Sequence, residues 1–157
     1  MSIEKARTHL ARWGKDTLVT EHAVSSATVE LAAEALHTEA GRIAKTLSFL
    51  NGERTLLLVA AGDARVDSAK FKQTFGLKKA RMVPVEEVEP RIGHAVGGVC
   101  PFGVNEGVDV WLDASLRRYA TVFPACGSSN SSIELTLDEL AECSEARGWV
   151  DVCRDWN

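Results

Sequence analysis

Three short stretches of the chain carry residue types suited to chemistry. The first is Gly97-Gly98-Val99-Cys100-Pro101-Phe102-Gly103, in which three glycines, a proline and a cysteine fall within seven residues. Glycine removes the side chain that holds a ligand away from the backbone, and successive amides in a bend can hold an anion or orient a water. The same composition also makes a tight turn that binds nothing. The stretch lacks the GxxxxGK(S/T) spacing of a P-loop and follows a helical pattern, whereas a dinucleotide fingerprint would follow a strand. The second is Lys45, a charged residue inside the apolar run RIAKTL. Such a lysine either reaches a partner or guards a strand edge against aggregation. The third is Cys126-Gly127-Ser128-Ser129-Asn130, whose hydroxyls and amide either bind a polar ligand or cap a turn.

Cys100 has His94 six residues upstream, the residue types of a thiol nucleophile and its base. That chemistry needs a thiolate and a base within hydrogen-bond reach, and a free cysteine otherwise behaves as a small buried hydrophobe. His9, His22 and His37 fall on separate segments, and Cys100, Cys126, Cys143 and Cys153 form no CxxC pair. No metal site and no cofactor is expected from these spacings. Trp13, Trp111, Trp149 and Trp156 are dispersed, as core or rim anchors would be, rather than clustered as a base-stacking platform.

The elements that must position these residues follow from the patterning. Ile3, Ala6, Leu10 and Trp13 recur at helical spacing and Gly14 stops them. A short strand is expected at Thr17 to Thr20, then a helix from Ser26 to His37 with Val29, Ala32, Ala33 and Leu36 on one face. Arg42 to Leu50 and Thr55 to Ala61 read as two strands joined by Asn51-Gly52 in a hairpin. Asp67 and Gly76 bracket a further helix. Ala80 to Val83 reads as a strand, VEEVEPRI as a short acidic helix, and Val108 to Leu112, Ala120 to Phe123 and Ile133 to Leu135 as strands. Thr136-Leu137-Asp138-Glu139 is a capping box opening a helix to about Ser144. Trp149 to Val152 makes a last strand. The sum is one domain over residues 1–157 with a mixed α/β or α+β fold, its curled sheet or barrel of about seven strands flanked by helices.

Composition narrows the function classes. With 45% hydrophobic and 25% charged residues, 157 residues suffice for a core that buries roughly two-thirds of the unfolded surface. No apolar run approaches the roughly 18 residues that would cross a bilayer. The amino terminus MSIEKARTHLARW does not read as a secretory signal, so a cytoplasmic location and reduced thiols are expected. Eighteen Lys and Arg against 22 Asp and Glu give a net charge of -4, so any contact with nucleic acid should be local.

Taken in order, TVELAAEAL, RIAKTLSF, LLLVAAGDARVD, GGVCPFG and PACGSSNSSIELTLDEL resemble the YbaK-like family of aminoacyl-tRNA deacylases. This family includes the editing domain inserted in bacterial prolyl-tRNA synthetases and the free-standing ProX proteins. The similarity runs from about Val19 to Val152. The family's strand lysine is matched by Lys45 and its GxxxP loop by Gly97 to Pro101. The resemblance implies hydrolysis of the ester that joins a wrong small amino acid to transfer RNA, commonly the proline transfer RNA. It implies that Lys45 holds the terminal adenosine through its phosphate, a role that suits a compact ammonium. It implies that the GxxxP backbone pins the carbonyl and the attacking water, the glycines leaving room for the ester. The neighbouring ribose hydroxyl or the substrate itself would assist in place of a side-chain nucleophile. The site expected on this basis has Lys45 and Gly98 at the reacting centre. Thr46, Gly97, Val99, Cys100, Pro101, Gly127, Ser128 and Asn130 surround the substrate. Relatives often carry a small hydroxyl residue where Cys100 stands, and some an acidic residue where Asn130 stands.

The leading expectation is a trans-editing hydrolase for mischarged tRNA, with alanine, cysteine, serine, threonine or 2-aminobutyrate as the amino acid removed. Its partner would be the acceptor end, with a prolyl-tRNA synthetase or elongation factor supplying further grip, and neither membrane nor DNA is expected as a partner. Two alternatives stand beside it: a non-catalytic module that binds an aminoacyl-nucleotide, and a Cys100-dependent hydrolase of small esters.

Overall fold

A computed structural model describes residues 2–22 and 28–156. Helix α1 (Ser2–Leu10) continues as a 3-10 turn to Trp13 and ends at Gly14 in the left-handed conformation, φ 69°. Strand β1 is Thr20–Glu21 and helix α2 Val29–Ala35, the latter capped by the Thr28 side chain. Strands β2 (Ile43–Asn51) and β3 (Arg54–Ala61) form the central hairpin. Next come β4 (Arg65–Val66), α3 (Ser68–Phe75) and α4 (Val85–Ile92). The second half holds β5 (Val108–Asp113), β6 (Thr121–Pro124), β7 (Ser131–Ser132), β8 (Leu135–Thr136), α5 (Leu137–Cys143), β9 (Gly148–Val150) and β10 (Cys153–Arg154).

The expected mixed, curled sheet flanked by helices is present. Six strands in the order β8-β6-β2-β3-β5-β9 make a half-barrel, and two small pairs, β1 with β7 and β4 with β10, stand beside it. The β2–β3 and β6–β8 pairs are antiparallel; β2–β6, β3–β5 and β5–β9 are parallel. Strand β3 is buried at all positions but the first because the sheet is covered on both faces, which is why RTLLLVAA reads as a continuous apolar run with no alternation.

Several boundaries differ from the sequence expectation. Thr17 to Thr20 is mostly a 3-10 turn, Asp16–Leu18, and only Thr20 enters a strand. Asn51 pairs with Arg54, so the two loop residues are Gly52 and Glu53, with Gly52 supplying the positive φ of 63°. Ala80 to Val83 makes a single bridge, Met82 to Phe49, because Pro84 follows at once and opens α4. Of Ile133 to Leu135 only Leu135 enters a strand, β8, and of Trp149 to Val152 only Trp149 and Val150 do, in β9. Ser26 and Ala27, expected to open α2, lie outside the described residues. The capping box at Thr136 and Glu139 and the caps at Asp67 and Gly76 form as read.

One apolar cluster joins β3, β5, α1, α3 and α4, with Phe71 stacked between Phe49 and Phe75 at 4.5 and 4.9 Å. A smaller cluster of Ala32, Ala33 and Ile43, with Val29, Leu36 and Phe123, ties α2 to β2. A cavity opens between the two.

Candidate active site

This cavity, of about 430 Å³, is lined by residues from α2, β2, α4 and both small-residue loops. Its position follows from the sheet register. Leu50 N–H donates to the Arg81 carbonyl and Val83 N–H to the Ser48 carbonyl, so the even-numbered residues of β2 turn their backbone groups away from β3. Strand β6 covers that edge only as far as the Ala44–Pro124 pair. Thr46 lies between these two covers. Its amide and carbonyl face a notch in the sheet edge with no backbone partner among the described residues. The Thr46 hydroxyl oxygen is also buried without a hydrogen-bond partner among them.

Lys45 precedes the notch. Strand β2 lies between β6 and β3, and β6 covers it only as far as Ala44, just before Lys45. Its ammonium donates to the carbonyl oxygens of Ala64 and, at 3.4 Å, of Gly62 in the turn that follows β3. That turn is braced by a bidentate ion pair between Asp63 and Arg118, with Arg118 Nη1 2.9 Å from Asp63 Oδ2. Burial of the ammonium lowers the Lys45 pKa from its ordinary value. An ammonium carries three protons, and two carbonyls occupy two of them. The third has no acceptor among the described residues.

The glycine-rich loop is built differently from the expectation. Gly98 N–H donates to the Ala95 carbonyl at 2.9 Å and Gly97 has φ 92°, a turn whose third residue must be glycine. Gly97 and Val99 line the cavity. Gly98 does not, and a Cβ built on it would lie 2.5 Å from the Gly127 carbonyl oxygen. The room beside Gly98, expected to make space for the ester, admits the backbone of the second loop. Gly103 likewise makes room for α1: a Cβ there would lie 2.7 Å from the Lys5 carbonyl oxygen. Pro101 is buried and lies away from the cavity.

Cys100 and His94 are brought together, with Sγ 3.5 Å from Nε2, yet they form no nucleophile and base. Both are fully buried, and burial pushes the Cys100 thiol up to about 12. His94 Nε2 lies 2.6 Å from the Phe102 carbonyl, so Nε2 carries the proton and donates it there. It cannot then accept one from the thiol. Cys100 accordingly sits behind the loop, off the cavity wall, although it is expected beside the substrate.

In the second loop only Ser128 lines the cavity, joined there by Ser131 and Ser132 of β7. Gly127 faces Gly98. Asn130 Nδ2 donates to the His22 carbonyl at 3.0 Å and the Asn130 carbonyl accepts from His22 N–H at 2.7 Å, which ties the loop to the β1 side. Neither Gly127 nor Asn130 reaches the cavity. The apolar wall was not foreseen as part of a site: Val29, Ala32 and Leu36 of α2 with Met82, Val83 and Val88. Their helical spacing is indistinguishable from core patterning in the sequence. Among the described lining residues Lys45 is the one ionisable side chain.

A sequence model of the aminoacyl-tRNA editing domain matches residues 23–143. The protein YwhH of Bacillus subtilis is 54% identical over 157 residues, 99% of each chain. A protein of Enterococcus faecalis, EbsC, provisionally named a Cys-tRNA(Pro)/Cys-tRNA(Cys) deacylase, is 30% identical over 71% of this chain and 68% of its own. A crystal structure provisionally described as a trans-editing enzyme for prolyl tRNA synthetase superposes with a TM-score of 0.87 at 30% identity, covering 98% of this chain and 97% of the other.

Proposed function

This chain belongs to the aminoacyl-tRNA editing domain family and is an aminoacyl-tRNA deacylase; from that premise we propose that it works in trans, in the cytoplasm, on proline transfer RNA carrying a wrong small amino acid. The observation that carries this reading is the convergence of Lys45, the open backbone of Thr46 and the Gly97 turn on one cavity that holds no carboxylate, imidazole or thiol among its described lining residues. A phosphate of the acceptor end takes the third proton of the Lys45 ammonium, which fixes the terminal adenosine at one end of the cavity. The aminoacyl group lies against the apolar wall that Val29, Ala32 and Leu36 of α2 supply. The ester carbonyl approaches the backbone at Thr46 and Gly97, where side chains do not intervene.

A lining without a general base leaves the proton of the attacking water to the substrate itself. The vicinal ribose hydroxyl or the α-amine of the amino acid relays it, and the protein contributes position and exclusion of bulk water. Position is a large effect, since a displacement of about 1 Å can cost on the order of 100-fold in rate. The apolar wall distinguishes amino acids weakly, because one methylene is worth roughly 1–3 kcal/mol in such a pocket. Alanine, 2-aminobutyrate, cysteine, serine and threonine should therefore be removed with overlapping efficiency.

The test is a panel of proline transfer RNA charged with each of these and with proline. Hydrolysis of several small mischarged forms with prolyl-tRNA spared is the expected result. Rapid loss of prolyl-tRNA with the mischarged forms intact would overturn the substrate assignment.

A further inference from the structure

Lys78, Lys79 and Arg81 are exposed and make no ion pair among the described residues. Other cations of this acidic protein are matched to carboxylates, among them Arg12 to Glu145, Arg42 to Glu134 and Arg54 to Asp109, whereas here three unmatched cations fall within four residues. The unmatched tract is fixed in place by its own backbone, since the Arg81 carbonyl accepts from Leu50 N–H and Val83 N–H donates to Ser48. It leads directly into Met82 and Val83, which line the cavity, and so approaches the notch at Thr46 along the sheet edge from the Leu50 end. Large apolar side chains are exposed on the same rim: Met82 at 56%, Val85 at 72% and Val96 at 61%. Apolar surface beside unmatched cations is the chemistry of a track for a nucleic-acid strand, with base and sugar faces on one and phosphates on the other.

We infer that Lys78, Lys79 and Arg81 form the phosphate track on which the acceptor stem of the substrate RNA docks, while its terminal nucleotide enters the cavity past Met82, Val85 and Val96. This rests on the deacylase reading and adds the surface that holds the remainder of the RNA. Lys79 stands three residues before Met82, at most about 11 Å of extended chain, so the track meets phosphates close to the terminal nucleotide. The first turn of α4 carries Glu86 and Glu87, with Glu87 paired to Arg91. The potential therefore falls from positive to negative across the mouth, and the strand is steered to enter from the Lys78–Arg81 side. A local track of this kind reconciles an RNA substrate with the net charge of -4.

The test compares the wild type with a Lys78→Ala/Lys79→Ala/Arg81→Ala variant, using a labelled acceptor-stem minihelix of proline transfer RNA for binding and, as a stem-less substrate, 3′-O-alanyl-adenosine carrying a 5′-phosphate for Lys45 (alanyl-adenosine below). Each phosphate contact contributes about 0.7–0.9 to the slope of log K against log salt. The variant should bind the minihelix at least about tenfold more weakly at 150 mM salt, with a slope shallower by about two, and hydrolyse alanyl-adenosine at the wild-type rate. An Arg12→Ala/Lys70→Ala/Arg154→Ala variant, which loses the same charge elsewhere, should bind as the wild type does. Wild-type binding and slope in the first variant would overturn the inference, as would an equal loss in the charge control. So would loss of alanyl-adenosine hydrolysis in a folded first variant, which would place the tract inside the reacting site. If the wild type hydrolyses neither alanyl-adenosine nor mischarged tRNA, the deacylase reading fails on its own account, and the minihelix measurement still decides the track.

Discussion

Gly98 and Gly127 meet backbone to backbone: a Cβ placed on Gly98 would fall 2.5 Å from the Gly127 carbonyl oxygen and 3.1 Å from Ser128 Cα. The two small-residue loops thus hold each other, and through Ser128 and Gly97 they set one wall of the cavity. Gly98→Ala should push the loops apart and lower stability by about 1–3 kcal/mol, the range for overpacking a site that cannot give way. Thermal melts read the loss, and deacylation should fall with it because the Gly97 turn shifts. A wild-type melting temperature in Gly98→Ala would show that the contact yields freely.

Cys100→Ser should retain deacylation within about threefold. The thiol is buried, its pKa stands at about 12, and its neighbour His94 already donates from Nε2 to the Phe102 carbonyl. A serine hydroxyl can make the same hydrogen bond to Phe102 that the thiol makes at 3.6 Å. Abolished deacylation in a folded Cys100→Ser protein would restore a thiol mechanism.

His94 gives the fold a defined acid sensitivity. Its pKa is lowered from 6.5, first by burial, because a buried imidazolium is poorly solvated. The native state therefore binds fewer protons than the unfolded state below pH 6.5, and its stability should fall as pH drops from there toward the native pKa. The limiting slope for one group is about 1.4 kcal/mol per pH unit. His94→Gln should flatten this part of the curve, as denaturant midpoints between pH 4.5 and 7.5 would reveal. An unchanged slope in the variant would assign the acid sensitivity to other groups.

The hairpin, the caps and the order of elements were legible in the sequence because each is written locally. Gly52 can take a positive φ, Asp67 and Thr136 can cap, and β3 is apolar throughout because the sheet is covered on both faces. The notch at Thr46 was not legible, since it arises from where β6 stops and where Pro84 turns the chain, and both depend on tertiary pairing. The same holds for the site. Lys45, Thr46, Gly97, Val99 and Ser128 reach the cavity, whereas Gly98, Cys100, Pro101, Gly127 and Asn130 serve the loops that shape it. A glycine that admits a ligand and one that admits a neighbouring loop look alike in a sequence, because both record only that a side chain would collide.

On the proposed reading the Lys45 ammonium, held by the Gly62 and Ala64 carbonyls, fixes the substrate ester against the Thr46 and Gly97 backbone. Single-turnover deacylation of alanyl-tRNA(Pro) by wild type, Lys45→Ala and Lys45→Arg, with thermal melts alongside, tests it most directly. Lys45→Ala should melt within about 1 kcal/mol of wild type, because its carbonyl partners can turn to water at a half-buried position. It should react on the order of 100-fold more slowly. Lys45→Arg should not recover the rate, since a planar guanidinium cannot occupy the place of a compact ammonium held by two carbonyls. A wild-type rate in a well-folded Lys45→Ala protein would show that the ammonium does not position the ester.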